Sequence, residues 1–244
     1  MAHDDQQLNP RIDFLAVIPA RAGSKRLKRK NLLNLGRQPL IAHTIQAARH
    51  SSRLSKVVVS TDCPQIAEAA RGCGAEVPFM RPAALADDKT PMIDVLRHAV
   101  CYFENIGITI GAVVLLQPTS PFRTGAHIDA AINLFEKKNA DTITSVCLSK
   151  EHPYWAVCKT DDGFLAPLLG WEKMAADRFE LPTTYKENGA IYIIRSSTLK
   201  SGRFYGDSVA PFVMDSLVSV DIDHEEDLLW AEFLLERGMV TCSG

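Results

Sequence analysis

The sequence predicts a three-layer α/β/α fold built on a mainly parallel, mixed sheet. Apolar strand-like runs alternate with helical patterns along the chain, as in α/β proteins. Two of the runs, Phe14–Pro19 and Val113–Gln117, are apolar almost throughout, which is typical of central strands covered on both faces. Polar motifs follow several runs, and sheets of this kind bind ligands at the carboxyl ends of their strands.

The length of 244 residues suits a single domain, 1–244. The helical pattern Pro39–His50 has proline near its start and an apolar stripe that includes Leu40, Ile41 and Ile45. Further predicted helices are Pro64–Arg71, Met92–Glu104, Gly125–Lys137 and Glu225–Arg237. The predicted strands are Phe14–Pro19, Lys56–Ser60, Val113–Gln117, Asp141–Cys147, Ala190–Ile194 and Leu217–Ile222, with Val77–Phe79 as a shorter candidate.

Composition excludes several classes of function. The formal net charge is −2, so no global basic field favours duplex nucleic acid as a partner. No run approaches the roughly 18 to 20 apolar residues of a membrane span. The segment Met1–Arg11 is polar and acidic, unlike a signal peptide, and we expect a cytoplasmic protein. The six cysteines form no CxxC pair, which argues against a disulfide scaffold or a structural zinc site.

A basic loop, Pro19–Asn31, directly follows the first strand. It holds six basic residues within ten positions, beginning at Arg21. Backbone N–H groups of such a loop can hold phosphate oxygens, and Arg21, Lys25 and Lys30 supply the charge that a triphosphate needs. The loop is neither a Walker A motif nor G-x-G-x-x-G, which argues against a P-loop kinase and a dinucleotide enzyme. A solvated basic loop is the alternative.

Two further motifs follow strands. Asp62 ends Val-Ser-Thr-Asp after the second strand, where it would contact a base or ribose, or instead cap the helix that begins near Pro64. Gln117 ends the central strand and would point its amide into the cleft. Arg123 and Thr124 would either belong to this site or serve the start of the next helix, and the whole turn has a structural role as its alternative.

Two aspartates near the C-terminus form a candidate metal site. On a strand Leu217–Ile222 that continues to them, Asp221 and Asp223 lie two residues apart and face the same side. Mg²⁺ commonly takes one or two protein carboxylates and completes its shell with phosphates and water. Asp223 has an alternative role as the cap of the following helix, with Glu226 three residues later.

Residues 148–188 interrupt the alternation of strands and helices. The segment is rich in aromatic residues for a solvated loop, so we expect it to pack on something. We interpret it as an inserted arm that packs on a partner subunit. The alternative is a lid that packs on its own domain.

With these motifs identified, the chain resembles the acylneuraminate cytidylyltransferases, or CMP-sialic acid synthetases, including the CMP-legionaminic acid type. The resemblance runs from about Phe14 to Phe233, nearly the whole chain, and its six motifs occur in the family order. They are IPARAGSKRLKRKN (18–31), VVVSTD (57–62), RPAALADD (81–88), LLQPTSPFRTGAHI (115–128), LP…NGAIYI (181–193) and VDIDHEEDL (220–228).

The resemblance implies the Rossmann-like sheet of the nucleotide-diphospho-sugar transferases. It also implies transfer of CMP from CTP to a nine-carbon 2-keto sugar acid, by a homodimer whose arms, residues 148–188, complete the neighbouring active sites. Arg21, Lys30 and Asp221 would be catalytic, and Asp221 and Asp223 would hold Mg²⁺. The implied nucleotide contacts are Ala20, Arg21, Ser24, Lys25, Lys30, Asn31, Asp62 and Arg81, and the implied sugar contacts are Gln117, Arg178, Asn188 and Tyr192.

Departures from the family pattern leave the sugar open. Tyr185-Lys-Glu-Asn188 stands where relatives often have Arg-Pro-Asn, and lysine lacks the bidentate fork of arginine. Lys89–Met92 replaces a hydroxyl-rich stretch, Trp155 replaces a basic residue of some relatives, and Ala22 precedes Gly23 where many carry two glycines. An eight-carbon acid such as KDO, and a non-catalytic nucleotide-binding domain, remain the alternatives.

Overall fold

The computed structural model describes residues 10–242, apart from the side chain of Arg178. Most of the polar N-terminal segment Met1–Arg11 therefore lies outside the described residues. The described chain forms a central sheet with helices on both faces, which confirms the predicted three-layer fold.

A six-stranded mixed sheet runs through residues 10–242. Its strands are β1 (Arg11–Pro19), β2 (Lys56–Ser60), β3 (Thr109–Leu115), β4 (Thr142–Leu148), β5 (Tyr185–Arg195) and β6 (Val209–Val213). β1, β2 and β3 pair in parallel, and β4 pairs in parallel with β6. β5 lies antiparallel between β3 and β4 and joins the two parallel groups, so the order is β6-β4-β5-β3-β1-β2.

The helices confirm the predicted elements to within a residue or two at each end. They are α1 (Leu40–Arg49), α2 (Pro64–Gly72), α3 (Met92–Asn105), α4 (Gly125–Lys138) and α6 (Glu225–Glu236), with a short α5 (Ser196–Lys200) that the sequence analysis does not predict.

The continuous apolar character of β1 has the expected cause. Ile18 and its alternate neighbours belong to the core on the side of α1, α2 and α4. Leu15 and Val17 belong to the core on the side of α3 and α5. Because both faces are covered, both sets of alternating side chains are buried, and the strand carries no polar face. A third cluster packs α6 beside the basic loop.

Two predicted strands are wrong. Leu217–Ile222 is irregular, and the last strand of the described chain is Val209–Val213. Ile222 instead donates its N–H to the Thr119 carbonyl at 2.8 Å, a single backbone contact rather than a ladder. Val77–Phe79 is not a strand either, although isolated bridges on both sides of it, at Glu76 and Met80, tie the segment to β2 and Thr61.

The inserted segment has limited structure of its own. Val157–Lys159 and Leu165–Pro167 form a short antiparallel hairpin, followed by the single helical turn Trp171–Met174. The segment leaves β4 at Leu148 and returns to β5 at Tyr185, and these two residues are cross-strand partners. Residues 148–188 thus extend a hairpin between adjacent antiparallel strands.

Candidate active site

A cleft of about 570 Å³ opens at the carboxyl ends of β1 and β3, within the usual range for small-molecule sites. It brings together nine of the residues predicted from the sequence: Arg21, Ser24, Lys25, Lys30, Asn31, Arg81, Gln117, Asp221 and Asp223. Its remaining lining includes residues that the sequence analysis missed, namely Pro19, Arg26, Leu27, Asp88, Met92, Pro118 and Thr119.

The basic loop is held at its start by hydrogen bonds from outside it. Ala20 donates its N–H to the Ser60 carbonyl at 3.0 Å, and Ala22 donates its N–H to Asp62 Oδ1 at 2.9 Å. Within the loop, the buried Asn31 donates from Nδ2 to the Arg21 carbonyl at 3.1 Å. These contacts fix the position of the loop backbone at the end of β1. The cationic side chains of the loop therefore extend from a fixed backbone.

Asp62 therefore has a role that neither predicted alternative described. Helix α2 takes Cys63 as its N-cap residue, without a side-chain hydrogen bond, so the prediction that Asp62 caps this helix is wrong. Asp62 and Ala20 support the loop, and neither lines the cleft. Their contacts with a nucleotide remain predictions.

Four cations of the loop are paired with two carboxylates. Arg21 and Lys25 both contact Asp88, and the distance from Arg21 Nη2 to Asp88 Oδ1 is 2.5 Å. Arg26 and Lys30 contact the two oxygens of Asp223, each at 2.7 Å. The Lys25 contact, followed by that with Arg21, holds the pKa of Asp88 below its ordinary value despite some burial. Protein carboxylates thus balance part of the positive charge of this loop.

Arg81 lies beneath the cleft and braces the end of β2. Its side chain is buried, donates from Nε to Ser60 Oγ at 3.1 Å and also contacts the Ser60 carbonyl. Burial lowers the pKa of Arg81 to about 10, against the attraction of Asp62. The Arg81 guanidinium is thus held by Ser60 at the end of β2, and the side chain also forms part of the cleft wall.

Asp221 and Asp223 reach the cleft without a strand. The Ile222–Thr119 hydrogen bond places the intervening residue against the turn after β3, and both flanking aspartates line the cleft. Helix α6 is capped by His224 together with Asp227, whose Oδ2 accepts from the N–H groups of Asp223 and His224. The alternative in which Asp223 caps this helix with Glu226 is therefore wrong.

The two aspartates differ in charge environment. Burial raises the pKa of Asp221, and the nearby negative charge of Asp223 raises it further. Burial alone would raise the pKa of Asp223 as well, but Lys30 and then Arg26 lower it below its ordinary value. Neighbouring cations thus stabilise the charged form of Asp223. The charged form of Asp221 would be stabilised by a positive charge placed nearby.

The predicted sugar contacts are distributed unevenly. Gln117 lines the cleft and fills the space beside Gly189, where a Cβ atom would lie 3.0 Å from Gln117 Oε1. Asn188 is buried, accepts from Ser145 Oγ at 2.6 Å and donates to Ser219 Oγ at 2.9 Å. Tyr192 is also buried and donates to Glu187 Oε2 at 3.1 Å.

Asn188 and Tyr192 thus stand behind the cleft wall, and their contact with a sugar remains a prediction. The Arg178 side chain lies outside the described residues. Of the two residues after the third motif, Thr124 caps α4 in a reciprocal box with His127, whereas Arg123 is buried and donates to the Ala190 carbonyl at 2.8 Å. The structural alternative holds for both.

Comparison with known proteins identifies the family. The sequence profile described as Cytidylyltransferase matches residues 15–214, most of the chain. The chain belongs to the cytidylyltransferase family. It is accordingly a nucleotidyltransferase, as the sequence predicts.

Individual relatives within the family show which enzymes the chain is similar to. A CMP-N,N'-diacetyllegionaminic acid synthase of Legionella pneumophila is 38% identical over 225 residues, covering 91% of this chain and 96% of the relative. An N-acylneuraminate cytidylyltransferase of Escherichia coli is 34% identical over 89% of this chain, which spans only 51% of that relative. A second CMP-N,N'-diacetyllegionaminic acid synthase, from Campylobacter jejuni, is 32% identical over 91% of this chain and 95% of the relative.

Solved structures support the fold. A CMP:2-keto-3-deoxy-manno-octonic acid synthetase complexed with CTP superimposes with a TM-score of 0.70 at 18% identity, covering 93% of this chain and 99% of that one. At such low identity this likeness concerns the fold alone.

No helix within residues 10–242 is long and apolar enough to cross a membrane.

Proposed function

We propose that the chain transfers CMP from CTP to the anomeric hydroxyl of a nine-carbon 2-keto sugar acid of the N-acylneuraminate or legionaminate type, releasing pyrophosphate. The observation that carries the proposal is the cleft in which the basic loop faces Asp221 and Asp223 within a cytidylyltransferase fold. Relatives named for legionaminic and N-acylneuraminic acids support the nine-carbon acceptor, since they align at 32–38% identity over most of this chain.

The reaction places its demands on positioning and charge. The anomeric oxygen forms a bond to the α-phosphorus of CTP while the bond from that phosphorus to the bridging oxygen of pyrophosphate breaks. Arg21 and Lys30 stabilise the negative charge that develops on the phosphates, and Ser24, Lys25 and Asn31 help to hold them. Asp221, which lines the cleft, accepts the proton of the attacking hydroxyl directly or through water.

We further propose that Asp221 and Asp223 bind Mg²⁺ together with the triphosphate. Among residues 10–242, no group of three or more His, Cys, Asp or Glu side chains could hold a metal ion. Two carboxylates nevertheless fit Mg²⁺, because it retains waters and takes phosphate oxygens as its other ligands. A bound Mg²⁺ supplies Lewis-acid stabilisation of the phosphates. Lys30 and Arg26 contact the two oxygens of Asp223, and a bound triphosphate would offer these cations a competing anion.

The proposal also covers the inserted arm, residues 148–188, and the cellular compartment of the enzyme. Residues 148–188 carry large exposed apolar side chains, among them Phe164, Trp171 and Phe179. We propose that these pack on a second copy of the chain and that Arg178 thereby reaches the neighbouring sugar site. A homodimer of this kind, working on CTP and a free sugar acid, suits the cytoplasm.

The test is pyrophosphate release from CTP and Mg²⁺ with a panel of 2-keto sugar acids. We expect turnover with N,N'-diacetyllegionaminate or N-acetylneuraminate and little with KDO. Fast turnover of KDO alone would transfer the proposal to eight-carbon acids. CTP binding without release for any acid would indicate a non-catalytic nucleotide-binding domain. The order of the motifs argues against a P-loop kinase, and failure of ATP to compete with CTP would exclude that class further.

A further inference from the structure

Glu187 is an exposed carboxylate that the roles assigned above leave unused, and two tyrosine hydroxyls hold it. Tyr192 donates to Glu187 Oε2 at 3.1 Å, and Tyr205 donates to Oε1 at 2.8 Å. The ring of Phe204 contacts both tyrosine rings, with centroids 5.4 Å from Tyr192 and 5.1 Å from Tyr205. One carboxylate is therefore oriented by a packed aromatic group, although nothing in the fold core requires a charge there.

The position of this group relates it to the cleft. Tyr192 pairs across the sheet with Leu115, the last residue of β3, and Gln117 follows it at the cleft wall. Gly189, two residues after Glu187, abuts the Gln117 amide. Charge supports the same arrangement, because burial, then Glu187 and, to a smaller extent, Tyr205 and Asp221 raise the pKa of Tyr192. The Tyr192 hydroxyl thus lies within electrostatic reach of Asp221.

The cleft has a polarity that assigns this side to the acceptor. The cations Arg21, Lys25 and Lys30 lie along the basic loop, where the triphosphate binds under the proposed function. Under the same proposal, the acceptor occupies the part of the cleft that the basic loop does not line, on the side of Gln117. Gln117 lines this part of the cleft. The Glu187 group lies beside it on β5, outside the residues that line the cleft, with Gly189 against the Gln117 amide.

We propose that Glu187, held by Tyr192 and Tyr205, is the residue that selects and orients the sugar acid, an inference that rests on the proposed function. Each Glu187 oxygen accepts one tyrosine hydroxyl and retains capacity for another donor. It therefore accepts hydrogen bonds from neutral O–H or acylamino N–H groups of the sugar. Like charges repel, so the carboxylate of the sugar points away from Glu187 and anionic substituents are excluded from this side.

The matched substitution is Glu187→Gln, which keeps the shape and removes the charge. We expect the KM for the sugar acid to rise about tenfold, as for loss of a charged hydrogen bond, with kcat and the KM for CTP unchanged. Tyr205→Phe frees one Glu187 oxygen from its fixed orientation, and we expect a smaller rise of about threefold. Glu236→Gln, an exposed change at the end of α6, is the control and should leave all constants unchanged.

A second readout isolates charge from general damage. The wild-type enzyme should disfavour a nine-carbon acid with an added carboxylate in its tail by about tenfold relative to the parent acid, and Glu187→Gln should narrow that ratio. The inference alone is overturned if the wild type turns over the sugar acid and Glu187→Gln changes neither the KM for the sugar acid nor the preference for the parent acid over the acid with an added carboxylate. An equal rise in the KM for CTP would overturn it too. Absence of turnover by the wild type with every acid would remove the proposed function, and this inference with it.

Discussion

The basic loop and the inserted arm are both irregular segments that follow a strand, yet the chain stabilises them in opposite ways. In the loop, polar and charged groups find partners from distant segments, such as Asp62, Asp88 and Asp223. In the arm, large apolar side chains remain exposed, with Phe179 at 95% and Phe164 at 71% of full exposure.

The contrast separates what one chain completes from what it does not. The loop has its electrostatic partners within the same chain, so we expect the nucleotide side of the site to form in a monomer. The arm exposes large apolar side chains, so we expect a further surface to cover them. Substitutions in the two regions should therefore impair the enzyme in distinguishable ways.

The largest effect is expected from Asp221→Asn. It removes the proposed proton acceptor and metal ligand, and we expect kcat to fall about a hundredfold to a thousandfold without unfolding. Pyrophosphate release and thermal unfolding measure the two quantities.

Asp13→Asn serves as the control for that variant. Asp13 pairs with Arg11 at the start of β1, whereas the cleft lies at the carboxyl end of that strand. Loss of the Asp13 charge should therefore leave kcat unchanged. A wild-type rate in Asp221→Asn would exclude Asp221 from the chemistry.

An intermediate effect is expected from Phe179→Asp in the arm. If the arm packs on a second copy, a charge there should weaken dimerisation by about thirtyfold or more, the loss associated with a buried aromatic anchor. Sugar turnover should fall with the dimer population, while CTP affinity should be retained. Sedimentation equilibrium and CTP titration measure these separately.

The control is Ile106→Asp, which adds the same charge at an exposed residue after α3 and should change neither property. An active Phe179→Asp monomer, or a wild-type protein that sediments as an active monomer, would favour the alternative of a lid that packs on its own domain.

The smallest effect is expected from Asp88→Asn. Asp88 pairs with Arg21 and Lys25, so its charge competes with the triphosphate for them. We expect the KM for CTP to decrease about threefold with kcat unchanged, and the difference to diminish at high salt. Asp87→Asn changes the adjacent exposed carboxylate and should have no such effect. An increase in the KM for CTP after Asp88→Asn would show that Asp88 assists nucleotide binding.

Local pattern predicted the helices and the central strands because their signals are local. Apolar stripes and proline at helix starts fix α1 and α2 to within a residue or two. The strand Val209–Val213 escaped because Pro211 argues against pairing, yet β6 is an edge strand, where proline is tolerated. Leu217–Ile222 alternates like a strand, but its apolar residues Val218 and Ile222 pack beside α6 instead.

The site was predicted as a set of residues but not as a set of contacts. The order of the motifs placed Arg21 and Gln117 at one edge of the sheet, because carboxyl ends of parallel strands meet there. Asp221 lies at the same cleft, but the strand that was predicted to carry it is absent from the described residues. The partner of each charge was not accessible. Asp88 meets Arg21 across 67 positions of sequence, and no local pattern encodes which carboxylate meets which cation.

The cross-strand pair Leu148 and Tyr185 has a consequence for how this family can vary. Because β4 and β5 are adjacent and antiparallel, a turn of a few residues would suffice to join them. The arm is therefore a modular insertion whose length and sequence can change without altering the register of the sheet or the position of the cleft. If the arm contributes to acceptor binding and subunit assembly, as proposed, those two properties can diverge between related enzymes while the nucleotide cleft stays constant.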